Sequence, residues 1–251
     1  MIQAPGFLRY VEFSVPDGAA AARYPFALPL VSQLLRLGRL DLDPGVTFLV
    51  GDNGSGKSTL IEALATAAGF NAEGGSRNFR FATRASESDL GDHLLLCWNR
   101  RPRNGYFLRA ESFYNVATEI ERLDDDGTLL QSYGGHSPHE RSHGQSFLDL
   151  ATHRFGPNSL FVLDEPEAAL SVQGCLALIV RMSELRSQGC QFVIATHSPI
   201  LLALPGARIL QIEADGSIER VGYDQAEPVA LTRAFVGNPD RILRPLLADE
   251  P

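Results

Sequence analysis

The segment Gly51-Asp52-Asn53-Gly54-Ser55-Gly56-Lys57-Ser58 constrains this chain more than any other, because it satisfies G-x-x-x-x-G-K-[ST] in full. Its flanks fit as well. Val46-Thr47-Phe48-Leu49-Val50 is apolar and β-branched and reads as a buried strand. Ser58 to Ala68 reads as a helix with Leu60, Ile61, Leu64 and Ala68 on one face. Glycines let the backbone curl until its N–H groups converge on phosphate oxygens, and the helix N-terminus adds partial positive charge. Lys57 is expected to reach the β- and γ-phosphates and Ser58 to ligate Mg²⁺. The candidate nucleotide-binding set is Asn53, Gly54, Ser55, Gly56, Lys57, Ser58 and Thr59. Lysine and arginine together number 22, and Lys57 is the only lysine. In so arginine-rich a chain, the one retained lysine marks a position suited to a compact ammonium rather than a planar fork. A glycine-rich turn with no ligand is the bland alternative, and the full match with its flanks disfavours it.

A second buried strand, Ser159-Leu160-Phe161-Val162-Leu163, runs directly into Asp164-Glu165-Pro166. Consecutive carboxylates after an apolar strand are costly unless a cation or a reaction uses them. Asp164 is the candidate second metal ligand beside Ser58, and Glu165 the candidate general base for an attacking water. Glu167 reads as a solvated loop acid. A third strand, Gln191-Phe192-Val193-Ile194-Ala195, leads to Thr196-His197. A histidine just past the carboxyl end of a buried strand sits where α/β sheets bind ligands, so His197 joins Glu165 and Lys57 as a candidate catalytic residue.

With these residues in place, the chain resembles the ATP-binding-cassette (ABC) class of P-loop ATPases. Ser142-His143-Gly144-Gln145, 22 residues before Asp164, resembles the signature loop of that class, with His143 where the first glycine of Ser-Gly-Gly-Gln stands. The resemblance implies that Ser142, Gly144 and Gln145 cap the ATP bound to an opposite subunit. Phe147 to Arg154 would be the helix behind that loop. Ala169-Leu170-Ser171 resembles the loop that crosses the dimer interface, with Ser171 replacing an aspartate. More narrowly, Gly74–Phe79, Arg109–Phe113 and Ser142–Gly144 resemble soluble bacterial predicted ATPases labelled AAA-family or ABC-like. The implied fold is α/β: a P-loop NTPase of ABC type with a mixed central sheet flanked by helices, a small helical signature subdomain and an N-terminal antiparallel β portion. The expected organisation is one domain over 1–251, with a catalytic lobe at about 1–110 and 157–251 and a helical signature subdomain at about 111–156. The implied cofactors are ATP and Mg²⁺, and the implied partners are a second copy in an ATP-dependent homodimer and an unidentified protein.

The chain departs from the family in two places. No clear glutamine loop lies between Lys57 and the signature, and Asn78 is the candidate substitute. No aromatic is a certain adenine stack; Tyr24 and Phe26 are candidates, with a core role equally open.

Composition narrows the function classes. Apolar residues make up 44% and charged residues 21%, ordinary for a globular domain. No apolar run approaches the roughly 18 residues a membrane span needs, and three scattered cysteines make no disulfide framework. A cytoplasmic protein without direct membrane insertion is expected. The net charge of −8 does not indicate nucleic-acid binding, although Arg77, Arg80 and Arg84, or Arg100, Arg101 and Arg103, leave a local groove open. No sustained heptad pattern lies between Lys57 and Ser142, which argues against the branch that inserts a long coiled coil there. His136, His139 and His143 have zinc-like spacing, but the glycines and Pro138 among them disfavour a shared helix. In the remaining pattern, Leu8–Val15 and Leu94–Trp98 read as strands, and Leu37, Leu40 and Leu42 as one strand. Tyr106–Leu108 reads as a hairpin partner of Leu94–Trp98, and Phe113–Leu123 as a helix. Three functions stay open: a soluble ABC-type ATPase, the nucleotide-binding subunit of a transporter, and a non-hydrolysing nucleotide switch.

Overall fold

The computed structural model describes residues 6–16, 18, 22–76, 89–110, 118, 121–122, 124 and 143–248. Ten strands are present among them: β1 (Leu8–Phe13), β2 (Arg39–Asp41), β3 (Val46–Gly51), β4 (Gly75–Ser76), β5 (Leu94–Trp98), β6 (Asn104–Arg109), β7 (Ser159–Asp164), β8 (Gln191–Ala195), β9 (Arg208–Ile212) and β10 (Ile218–Val221). The α-helices are α1 (Pro29–Leu37), α2 (Lys57–Ala67), α3 (His143–His153), α4 (Val172–Ser187), α5 (Glu227–Gly237) and α6 (Pro239–Ala248).

Seven strands form a mixed sheet in the order β10-β9-β3-β8-β7-β6-β4, and three form a separate antiparallel sheet, β2-β1-β5. In the large sheet β9, β3, β8, β7 and β6 run parallel, while β10 and β4 close the edges antiparallel. Both faces of the parallel strands are covered, which is why these strands are near-continuous apolar runs rather than alternating ones. Val46, Phe48, Val50, Phe161, Leu163, Phe192 and Ile194 pack with α3 and α4 on one face. Leu49, Leu160, Val162 and Val193 pack on the other with α2, α1 and the small sheet. Phe155, Phe161 and Phe192 stack in series, with ring centroids 4.2 and 4.9 Å apart. The expected α/β architecture, with its mixed sheet, flanking helices and N-terminal antiparallel part, is present.

Three local expectations are corrected. Leu37 is not in a strand with Leu40 and Leu42 but ends α1, and Gly38 caps that helix at φ 70°. Leu30, Val31 and Leu34 are the buried side of α1. Leu94–Trp98 and Tyr106–Leu108 are not hairpin partners. β5 pairs antiparallel with β1 and β6 pairs parallel with β7, so the chain changes sheets between them. Full burial of Tyr106, Phe107 and Leu108 marks an inner strand, whereas Leu95 of β5 is exposed. The helix expected over Phe147–Arg154 is described over His143–His153, so Gly144 and Gln145 are already helical. Most of residues 111–142, including most of the expected helix Phe113–Leu123, lie outside the described residues.

One side chain joins the two sheets. Gln191, fully buried at the start of β8, accepts hydrogen bonds at Oε1 from the N–H groups of Phe7 (2.9 Å) and Leu8 (2.7 Å). Its Nε2 donates to the carbonyls of Leu8 (2.7 Å) and Asp43 (2.8 Å). The amide's full donor and acceptor capacity is used where water cannot substitute. Gln191→Ala leaves buried backbone groups unpaired, and the expected cost is about 3 kcal/mol, a fall of roughly 6–12 °C in melting temperature for a domain of this size. Thermal unfolding followed by circular dichroism checks it; an unchanged melting temperature would show the junction to be wet.

Candidate functional site

The loop between β3 and α2 closes on its own lysine. Gly54 and Gly56 take φ values of 80° and 99°, a region that costs residues with a Cβ. The curled loop lets Lys57 Nζ donate to the carbonyls of Gly51 and Asp52, each at 2.7 Å, with Ser55 Oγ at 3.5 Å. Lys57 is 4% exposed. Burial pushes its pKa below the usual lysine value, and the nearby carboxylates of Glu165 and Asp164 oppose that shift. Phosphate oxygens at the loop would restore the ammonium's preference for its charge. Thr59 follows on the helix, its Oγ1 3.4 Å from the hydroxyl of Tyr24.

Three other strands deliver the remaining residues to the same end of the sheet. In register, Asp164 at the end of β7 stands beside Ala195 of β8 and Arg109 of β6. Asp164 is buried, and its Oδ1 accepts a 3.1 Å hydrogen bond from Ser58 Oγ across 106 residues of sequence. A carboxylate and a hydroxyl this close supply hard oxygen donors of the kind Mg²⁺ takes alongside phosphates and water. The donor set therefore fits that ion. Among the described residues no group of three or more His, Cys, Asp or Glu is arranged to hold a metal without such help.

Glu165 takes φ 47°, ψ 52°, a left-handed conformation unusual for a glutamate. Its N–H donates to Ala195 O at 2.9 Å. Its side chain is 41% exposed, with Oε1 3.6 Å from His197 Nε2. Ser58, Arg109, Ala110, Asp164, Glu165, Ala168 and Ala169 line a cavity of ≈ 450 Å³. The structure thus brings Lys57, Ser58, Asp164, Glu165 and His197 together at the carboxyl ends of adjacent parallel strands.

Glu167 is not the solvated loop acid its setting suggests. It is half-buried, and its Oε1 accepts the backbone N–H of His197 at 2.6 Å. This bond ties the turn after β7 to the turn after β8, so the backbone of His197 is fixed by the same segment that carries Glu165. Arg109 and Glu62 were also missed. Arg109 Nη1 donates to Glu62 Oε2 at 2.7 Å, and its Nε lies 3.5 Å from Asp164 Oδ2. The one available signal is helical spacing, since Glu62 lies four residues after Ser58 on the same face of α2.

Of the adenine candidates, Phe26 is a core residue, packed edge-on against His93 at 4.9 Å, while Tyr24 is exposed beside Thr59. Gly144 packs tightly against the turn after Glu165: a Cβ there would stand 2.8 Å from the Ala169 carbonyl oxygen. Gln145 is exposed on α3. Ser171 caps α4, accepting the N–H of Gly174 at 3.1 Å. Arg100 and Arg101 lie over the rings of Phe7 and Trp98. Ser142, Asn78, Arg77, Arg80, Arg84, His136 and His139 lie outside the described residues.

Loss of the Glu167 carboxylate releases the His197 amide. A charge-assisted bond contributes about 1.5–3 kcal/mol, so in Glu167→Ala that amide is expected to exchange hydrogen roughly ten- to a hundredfold faster. Glu167→Gln, which keeps an acceptor, is expected to stay near wild type. Residue-resolved hydrogen exchange measures both; equal protection in wild type and alanine variant would mean the bond does not hold the loop.

A model of the AAA domain family matches residues 34–131. A macrolide export ATP-binding/permease protein from Hahella chejuensis is 28% identical over 200 residues, which cover 71% of this chain and 30% of that protein. A ribose import ATP-binding protein from Bacillus cereus is 28% identical over 169 residues, 59% of this chain and 34% of that protein. The chain thus spans a minor part of the curated relatives it matches. The solved structure of a metal-chelate type ABC transporter in an inward-facing conformation aligns with a TM-score of 0.50 at 16% identity, covering 92% of this chain and 89% of that one. At that identity the likeness is one of fold. In its fold, and in having phosphate loop, carboxylate pair and histidine at the ends of its parallel strands, the chain is similar to the ABC class of P-loop ATPases.

Proposed function

We propose that this protein binds ATP with Mg²⁺, hydrolyses it, and pairs with a second copy while ATP is bound. The observation that carries the reading is the convergence of Lys57, Ser58, Asp164, Glu165 and His197 at the carboxyl ends of β3, β7 and β8, where Ser58, Asp164 and Glu165 line one cavity. In this reading the loop amides of Asn53 to Thr59 and the N-terminus of α2 cradle the phosphates, and Lys57 exchanges its two carbonyl partners for phosphate oxygens. Ser58 and Asp164 hold Mg²⁺, which neutralises charge on the β- and γ-phosphates. Glu165 accepts hydrogen bonds from the attacking water and orients it in line with the γ-phosphate. His197, held by Glu167, steadies Glu165 or the transferred phosphoryl group.

Ser142, Gly144 and Gln145 act in trans on the nucleotide of the second copy. Residues 1–110 and 157–251 form the catalytic lobe and 111–156 the signature subdomain. The output is a cycle of closure and separation that works on a protein partner, in DNA maintenance or defence. All three cysteines are free thiols, which suits the reducing cytoplasm. Among the described residues no helix is long and apolar enough to cross a membrane.

A transporter's nucleotide-binding subunit is the second reading, favoured by the names of the export and import relatives. It requires a separate membrane protein, and the end of β6, next to the metal carboxylate, presents Arg109 where no glutamine loop was found.

Glu165→Gln removes the base and keeps the side chain's size, so it should trap the ATP-bound state. Light scattering on a sizing column is expected to give monomer mass without nucleotide and dimer mass with ATP and Mg²⁺. A mass that never changes would sink the trans role of residues 142–145 and favour an obligatory partner.

A further inference from the structure

Arg109 has no role in the reading above, yet it lies at the centre of the site. The β6–β7 register sets it directly opposite Asp164, so strand pairing delivers a guanidinium to the carboxylate that, in the reading above, holds the metal. Glu62 anchors one edge of that guanidinium at 2.7 Å. Glu62 is itself fixed one helical turn beyond Ser58 on α2. Arg109 Nε is 3.5 Å from Asp164 Oδ2, and among the described residues it has no hydrogen-bond partner although it is buried. The side chain also lines the cavity that runs from Ser58 and Asp164 to Glu165.

A cation in this position competes with Mg²⁺ for the charge of Asp164. As a fold-stabilising pair alone it would oppose metal binding at the place the metal is needed. The conflict disappears when a third, stronger anion enters the cavity. Lys57 and the loop amides account for the β-phosphate, and the cavity between Asp164 and Glu165 is where a terminal phosphoryl group and its attacking water belong. A guanidinium keeps donors to spare after binding one carboxylate, and it is planar, so it can turn from a carboxylate to a phosphate without losing its tether.

We propose that Arg109 is a γ-phosphate ligand acting within its own chain. In the nucleotide-free protein it neutralises Asp164; with ATP bound, its free N–H edge moves to the terminal phosphate while Glu62 keeps hold of the other edge. Arg109 thereby makes the site distinguish ATP from ADP. The inference rests on the ATP-binding function proposed above.

The test is a titration of wild type, Arg109→Gln and Arg109→Lys with fluorescent N-methylanthraniloyl derivatives of ATP and ADP, in Mg²⁺ and in EDTA, with thermal unfolding followed alongside. Arg109→Gln is expected to weaken ATP about tenfold, the loss of one charge-assisted bond, and to leave ADP unchanged, in EDTA as well as in Mg²⁺. Arg109→Lys, which keeps the charge and loses the fork, is expected to lose part of the same ratio, and it decides the question if the glutamine variant does not fold. An ATP-to-ADP affinity ratio unchanged in the variants, whether both nucleotides bind as before or both weaken alike, overturns the inference and leaves nucleotide binding standing. A wild-type protein that binds neither nucleotide overturns both.

Discussion

Parallel strand register is the constraint on which this site rests. Asp164 meets Ala195 on one side and Arg109 on the other, while Gly51 meets Ile212. Five chain segments, far apart in sequence, therefore end within two residues of one another at one edge, since Ala195 also meets Leu49 and Gly51 lies two residues beyond it. Side chains alternate faces along a strand, so a slip of one residue in β7 would turn Asp164 away from Ser58 and carry Val162 and Leu163 to the wrong cores. The packing that fills both faces of the sheet is what prevents the slip, and in that sense the hydrophobic core specifies the catalytic geometry.

The electrostatics follow from that convergence. Asp164, Glu165 and Glu167 crowd one turn, and Glu62 adds a fourth carboxylate nearby. The counter-charges are Lys57 and Arg109, each already engaged: the lysine by two carbonyls and the arginine by two carboxylates. These partners hold the cations in place before any nucleotide arrives. Loop carbonyls keep a buried ammonium hydrogen-bonded in a setting that otherwise disfavours its charge. A triphosphate with its metal replaces those placeholders by stronger ones, so entry of the ligand rearranges existing bonds more than it orders loose side chains.

Legibility in the sequence divides along the same line. The phosphate loop, the carboxylate pair and the three strands behind them are local patterns, and β3, β7 and β8 lie where their apolar runs place them. What could not be read is what depends on tertiary partners. Nothing around Leu94–Trp98 says that it joins β1 rather than β6. Glu167 looks like any turn acid until β8 ends beside it, and Arg109 has no company in sequence that explains it. Gln191 begins an apolar strand and gives no local sign of the two chain segments it will join. The α1 helix is different: its apolar spacing and Gly38 were visible, and grouping Leu37 with the leucines beyond that glycine hid them.

Glu165 shows what the arrangement demands of the backbone. Its left-handed conformation lies in a region where glycine is at ease and where a glutamate sits at a cost of order 1–3 kcal/mol. The sharp reversal there lets β7 end at Asp164 and still present the next carboxylate to His197. The residue that would make the fold most comfortable at this position would carry no carboxylate at all. Selection for thermal robustness alone would erode this position first, so a drifting copy that had lost its chemistry could become the more stable protein.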